Sequence, residues 1–186
     1  MSRFKVTALT LAGLSLIERQ FIGDHRGFLS RLFCATELAE AGWAKPIAQI
    51  NHTYTAKSGT VRGFHSQYSP HTEMKLVSCL RGEIWDVAVD LREDSATFLS
   101  WHAEYLSAKN GRAILIPDGF AHGFQALTDD VELIYCHSSA YQSSSEFGLN
   151  PLDPRLGVNW PMTITEISQR DANHPLIQPG LKGVKI

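Results

Sequence analysis

The sequence predicts an all-β protein, an antiparallel sandwich or barrel with short flanking helices. Two observations carry this. Runs rich in Val, Ile, Leu, Tyr and Trp fill much of the chain, and Gly, Asp, Asn, Ser or Pro often punctuate them. These runs do not alternate with helix-length amphipathic segments, so a parallel βαβ arrangement is not indicated.

In order along the chain, "TALTLAGLSLIERQ" reads as a first strand, and "CATELAEAGW" as one short helix with Gly42 as its stop. "KPIAQINHTYT", "KLVSCL", "EIWDVAVDLR", "FLSWHAEYLS", "RAILIPD", "HGFQAL" and "VELIYCHSSAY" follow as strands. The final thirty residues read as loop with a helical turn. There is no internal repeat, low-complexity tract or linker, so one domain is expected over residues 1–186.

With 44% hydrophobic and 19% charged residues, the chain can bury a sizeable core. A net charge of -2 without a basic block leaves no footprint for nucleic acid. Three cysteines, Cys34, Cys79 and Cys136, imply no disulfide framework and fit a reducing, cytoplasmic setting. Arg3 and Lys5 before "ALTLAGLSLI" loosely mimic a secretory leader, but Thr and Ser interrupt the run and no clear small-residue cleavage site follows. No run is long enough to span a membrane.

"KLVSCL-RG-EIWDVAVDL" fits two strands joined at Arg81-Gly82. A two-residue loop would set Val77 opposite Asp86 and Lys75 opposite Ala88. Lys75 and Asp86 would then be diagonal neighbours on one face, with Asp86 able to hold the lysine.

The stretch "TVRGFHSQYSPHTEMKLV" places an Arg, two His, a Glu and a Lys within or beside strands, where a lone buried charge is costly. Strict alternation puts Arg62 and His65 on opposite faces. Gly63 between them suggests a bulge that could bring both to one cavity. His71 and Glu73 are read as lying in a solvated loop. "IPDGFAHGF" makes a tight turn from which His122 returns into a strand, similar to the second motif of the cupin jelly rolls, where that His often binds metal. The first metal motif would be "HSQ", with Gln67 in place of a second His and Glu73 displaced, a poor ligand set. No metal and no cofactor are therefore expected. Tyr135 and His137 share a strand face with Leu133, and "WPMTITEISQRD" ends at Asp171.

Together these segments resemble the family of dTDP-4-dehydrorhamnose 3,5-epimerase and related sugar-nucleotide epimerases. The match runs through "GDHRGFLSRLF", "QINHTYT", "VRGFHSQ", "KLVSCLRGEIWDVAVDLREDSATF", "LSAKN", "IPDGFAHGF", "DPRLGVNWP" and "ISQRD". The resemblance implies a cupin-type jelly-roll β-barrel, a homodimer that exchanges N-terminal strands, and metal-independent inversion at C3, with or without C5, of a nucleotide-linked 4-keto-6-deoxyhexose in surface-polysaccharide biosynthesis.

Such a reaction needs a base on one face of the sugar, an acid on the other and a positive group at the enolate oxygen. The resemblance assigns these roles to His65 as base, Asp171 as its orienting carboxylate, Tyr135 as acid and Lys75 as the cation. It makes His122, Gln49, Asn51 and Tyr141 substrate contacts. Arg62 and Arg170 suit the diphosphate, and Arg26 would reach the partner subunit's site.

Two positions depart from the family pattern. Arg31 stands where relatives usually carry Glu, and Ala140-Tyr141 where they carry Tyr-Tyr. Thymine offers an N3–H donor, which suits a carboxylate; cytosine offers N3 and O2 acceptors, which suit an arginine. Arg31 at the base edge therefore leads to an expected preference for a CDP-linked substrate. The competing classes are a metal-dependent cupin enzyme and a non-catalytic sugar-nucleotide binding module.

Overall fold

The computed structural model describes residues 2–186. The chain opens with β1 (Phe4–Ala8), β2 (Ser15–Arg19), β3 (Phe21–Asp24), β4 (Gly27–Ser30) and the helix α1 (Ala35–Ala39). The body comprises β5 (Gln49–Thr55), β6 (Val61–Gln67), β7 (Lys75–Arg81), β8 (Glu83–Asp90), β9 (Trp101–Ser107), β10 (Arg112–Ile116), β11 (Phe120–Ala126) and β12 (Val131–His137). β13 (Glu146–Gly148) and α2 (Gln169–Ala172) lie in the C-terminal segment.

Two antiparallel sheets face each other. One has six strands in the order β1-β2-β10-β7-β12-β5, and the other has five in the order β13-β6-β11-β8-β9. β3 and β4 form a separate hairpin. Side chains alternate across each strand, so every second residue enters the space between the sheets. Val77, Ile114, Leu133, Ile84, Leu106 and Phe124 fill its apolar part. The outer face of the six-stranded sheet is covered by the α1 region, with Leu38 and Trp43 packed on Leu76, Ala113 and Leu115. Leu149, Leu156, Ile177 and Val184 from the C-terminal segment cover the other sheet through Phe64, Val87 and Ala121. That cover brings α2 to the open end of the sandwich.

Two local expectations are corrected. The run "TALTLAGLSLIERQ" is not one strand. It holds the end of β1, a turn and β2, and these strands pair with Phe4 opposite Arg19. Nor do β7 and β8 form a hairpin. β7 lies between β10 and β12, whereas β8 lies between β11 and β9 in the other sheet. Arg81-Gly82 is a corner between sheets, with Gly82 at φ +75°. A tight-turn signature is local and does not determine which sheet receives the next strand.

The Gly63 expectation is met. His122 lies opposite His65, but Phe124 lies opposite Arg62, so β6 carries one extra residue in that interval. This bulge lets Arg62 and His65 line one cavity. Gly63 has φ +118°, and a Cβ there would sit 2.5 Å from the Cα of Gly123. Only glycine fits both the conformation and the close approach.

Candidate active site

The inward rows change character along the strands. Val77 and Cys79 on β7 are apolar, but Lys75 in the same row is charged. On β12 the row runs Val131, Leu133, Tyr135, His137. The polar ends of these rows, with β5, β6, β11 and α2, enclose a cavity of about 970 Å³. Its lining includes Asn51, Arg62, His65, Lys75, His122, Tyr135, Tyr141, Arg170 and Asp171.

His65 Nε2 lies 2.8 Å from Asp171 Oδ1, and the other carboxylate oxygen accepts the Gly63 N–H at 3.1 Å. Ser168 caps α2 by accepting the Asp171 N–H at 3.0 Å, which fixes the carboxylate's backbone. Burial raises the Asp171 carboxyl, but the His65 hydrogen bond, the Gly63 N–H and the charges of His65 and Arg170 outweigh it. The group is held well below the usual carboxylate range. Arg170 Nη2 also lies 2.8 Å from His65 Nε2. One nitrogen cannot donate to Asp171 and accept from Arg170 at once. The Asp171 side chain is 3% exposed, whereas Arg170 is 55% exposed and also paired with Glu146, so the carboxylate has the stronger claim. In a neutral His65 the proton then sits on Nε2, which leaves the lone pair on Nδ1.

Tyr135 stands on the facing sheet. Burial, followed by the Asp86 charge, pushes its phenol above the ordinary tyrosine value, so it is neutral and able to donate. His122 meets its ring edge-on at 5.7 Å, and His137 stacks on it at 5.9 Å. Lys75 Nζ donates to the His65 carbonyl at 3.3 Å and pairs with Glu73 Oε1 at 3.2 Å. Arg62 is held by Thr55 Oγ1 at 3.0 Å and the Tyr54 carbonyl at 3.1 Å. Tyr141 is 53% exposed at the rim, and its hydroxyl donates to Glu146 at 2.9 Å.

Several expected roles change. Asp86 does not hold Lys75; its Oδ2 is 2.8 Å from His122 Nε2, because these residues are diagonal neighbours on paired strands of one sheet. Glu73 is not solvated. It is mostly shielded between Lys75 and His137, with Oε2 2.7 Å from His137 Nδ1. Gln49 lies behind the lining, where it donates to Asn51 Oδ1 at 3.0 Å and accepts the Tyr141 N–H at 3.0 Å. Arg26 and Arg31 lie outside the cavity of their own chain: Arg26 pairs with Asp24, and Arg31 with Glu37. Arg31 thus has a local carboxylate partner and does not line the cavity of its own chain, so the structure gives no support to its expected reading of a cytosine. Glu73, His137 and His174 were not expected at the site. His174 Nε2 lies 4.0 Å from Asp171 Oδ1. The spacing of Glu73 two residues before Lys75 was the available signal for one of them.

Among the described residues, His65, Asp171 and His174 bring ligand-type atoms within 4.8 Å of one another. They fit a cation poorly, because the Arg170 guanidinium already approaches His65 Nε2. The cupin-like set is also engaged elsewhere: His122 with Asp86, Glu73 with Lys75, and Gln67 with the His71 carbonyl and the Gln142 N–H.

A β-sandwich whose cavity sets an imidazole–carboxylate pair against a neutral phenol and an ammonium is arranged as an isomerase that moves protons. The comparisons agree. The family model of dTDP-4-dehydrorhamnose 3,5-epimerase matches residues 8–179. A dTDP-4-dehydrorhamnose 3,5-epimerase of Sinorhizobium fredii is 38% identical over 173 residues, covering 90% of this chain and 87% of that protein. A dTDP-4-dehydrorhamnose 3-epimerase of Streptomyces niveus is 34% identical, covering 93% and 84% respectively. The crystal structure of dTDP-6-deoxy-D-glucose-3,5-epimerase from Legionella pneumophila, in complex with dTDP-4-keto-L-rhamnose, superposes with a TM-score of 0.88. It is 38% identical and the match covers 93% of this chain and 92% of that one. The chain belongs to the dTDP-4-dehydrorhamnose 3,5-epimerase family and has its jelly-roll fold.

Proposed function

We propose that this enzyme inverts C3 and C5 of a dTDP-linked 4-keto-6-deoxyhexose without a metal. The observation that carries the reading is the placement of His65–Asp171 on one wall of the cavity and Tyr135 with Lys75 on the other. His65 removes the proton alpha to the C4 carbonyl. Lys75 stabilises the enolate oxygen. Tyr135 returns a proton to the opposite face of the carbon, inverting it. Arg62, His122 and Arg170 contact the sugar and diphosphate, with Asn51 and Tyr141 toward the nucleotide. The names of the 3,5-epimerase relatives support two centres and a dTDP-linked substrate, although one relative is named a 3-epimerase.

The reading includes a homodimer in which the β3–β4 hairpin crosses to the partner and delivers Arg26. Phe28 and Leu29 are 67% and 65% exposed on that hairpin, which supports a covering surface. Three unpaired cysteines support a cytoplasmic setting. No helix among the described residues is long and apolar enough to cross a membrane.

Turnover of the dTDP-linked 4-keto-6-deoxy sugar in D₂O tests the reaction. Deuterium should enter at both C3 and C5. Entry at C3 alone would reduce the enzyme to a 3-epimerase, and entry at neither carbon would overturn the reading.

A further inference from the structure

Glu73 and His137 form a largely shielded pair lining the cavity that the proposed reaction does not use. They complete a hydrogen-bond chain from the rim to the catalytic lysine. The Tyr141 N–H donates to Gln49 Oε1 at 3.0 Å, and Gln49 Nε2 donates to Asn51 Oδ1 at 3.0 Å. Asn51 Nδ2 lies 3.4 Å from His137 Nε2, and His137 Nδ1 lies 2.7 Å from Glu73 Oε2. Glu73 Oε1 meets Lys75 Nζ at 3.2 Å.

Each link has one workable polarity. An amide nitrogen only donates and a carboxylate only accepts, so His137 must accept at Nε2 and donate from Nδ1. That is the neutral imidazole with its proton on Nδ1. A protonated His137 would turn an N–H toward the Asn51 amide nitrogen. Asn51 would have to flip, and Gln49 with it, giving up the Tyr141 N–H. The donor sense of the rim is therefore tied to the charge beside Lys75.

We propose that His137 is a positioning residue, and that through the Gln49–Asn51–His137–Glu73 chain the nucleotide-side rim sets the position and effective charge of Lys75. This rests on the reading of Lys75 as the enolate-binding cation. Glu73 draws on the lysine's charge at 3.2 Å, and the His137 hydrogen bond draws on Glu73 in turn. Burial raises the Glu73 carboxyl, but the Lys75 charge and the His137 hydrogen bond outweigh it and hold the group below its ordinary value. The other charged or titratable groups lining the cavity are Arg62 and His65 on β6, His122 on β11, Tyr135 on β12, Tyr141 and Glu146 near its mouth, and Glu166, Arg170 and Asp171 on the C-terminal segment.

Two variants separate positioning from packing. His137→Ala breaks the chain and should lower kcat by up to about 10²-fold, the scale of a displaced catalytic group, with little change in dTDP affinity. His137→Gln can accept from Asn51 and donate to Glu73, so it should recover most of that loss. Wild-type kcat in His137→Ala would overturn the proposal, as would equal impairment of both variants.

Side-chain ¹⁵N NMR of the ligand-free protein provides a readout independent of turnover. His137 should be the Nδ1–H tautomer, and Asn51→Ala should move both its ring signals and the Lys75 ammonium signal. An Nε2–H tautomer or an unmoved Lys75 signal overturns the chain. Absence of turnover by the unaltered enzyme would instead overturn the reading of the site, and the NMR result would still decide the chain.

Discussion

His65 and Asp171 lie 106 residues apart in sequence, and their side chains meet at 2.8 Å. The carboxylate favours the tautomer that leaves Nδ1 free, and in the proposed reaction it would stabilise the imidazolium once the proton has moved. Asp171→Asn should preserve the packing but lower kcat by about 10²–10⁴-fold, the scale of a disabled general base. Steady-state kinetics check this; an unchanged kcat would remove Asp171 from the mechanism.

The same pair predicts a pH dependence of stability. The folded pKa of Asp171 lies below its ordinary value of 3.8, so the linked stability is present above that pH. It is lost as pH falls through the region below 3.8 toward the folded value. Thermal melts of the wild type should therefore decline more steeply there than those of Asp171→Asn. Parallel declines would show that the carboxylate is not linked to folding.

In the proposed reaction, Tyr135→Phe removes the donor of the second proton but leaves the base. Deuterium from solvent should still exchange into recovered substrate in this variant, while inverted product falls by about 10²-fold or more. His65→Ala should lose both. NMR of recovered sugar separates the outcomes, and full inversion by Tyr135→Phe would assign the acid elsewhere.

Asp86 is placed to act through His122, to which it is bonded at 2.8 Å. A double-mutant cycle of Asp86→Asn with His122→Asn should show coupling of about 0.5–3 kcal/mol in kcat/KM. The cycle of Asp86→Asn with Lys75→Met should show much less. The reverse order would restore the Lys75–Asp86 pairing that strand spacing suggested.

On the proposed function, which takes a dTDP-linked sugar, calorimetry should find dTDP bound at least about tenfold more tightly than CDP, a difference of about 1.4 kcal/mol. Arg31→Ala should leave that ratio nearly unchanged. A CDP preference that Arg31→Ala abolishes would return this residue to base recognition.

Complementation tests the exchanged hairpin. Arg26→Ala and His65→Ala should each be inactive alone. Mixed and refolded together, they should recover about a quarter of wild-type site activity if Arg26 acts on the partner, since half of the random dimers carry one intact site. No recovery would place Arg26 in its own subunit's site or outside the chemistry.

The sequence by itself determined the all-β class, because period-two runs and turn residues are local signals. It also pointed to a bulge at Gly63, since a glycine inside a strand has few other uses, and its motifs pointed to His65, Lys75, Tyr135 and Asp171. Only the tertiary structure decided what those residues touch. Two strands around Arg81-Gly82 look like a hairpin in sequence, yet they enter different sheets, so Asp86 meets His122 and Lys75 meets Glu73. Glu73 reads as a loop carboxylate until His137, 64 residues away, shields and bonds it. The physical reason is that strand propensity and turns act over a few residues. The partner of a buried charge depends on which strands neighbour in the sheets, and that is settled by long-range packing.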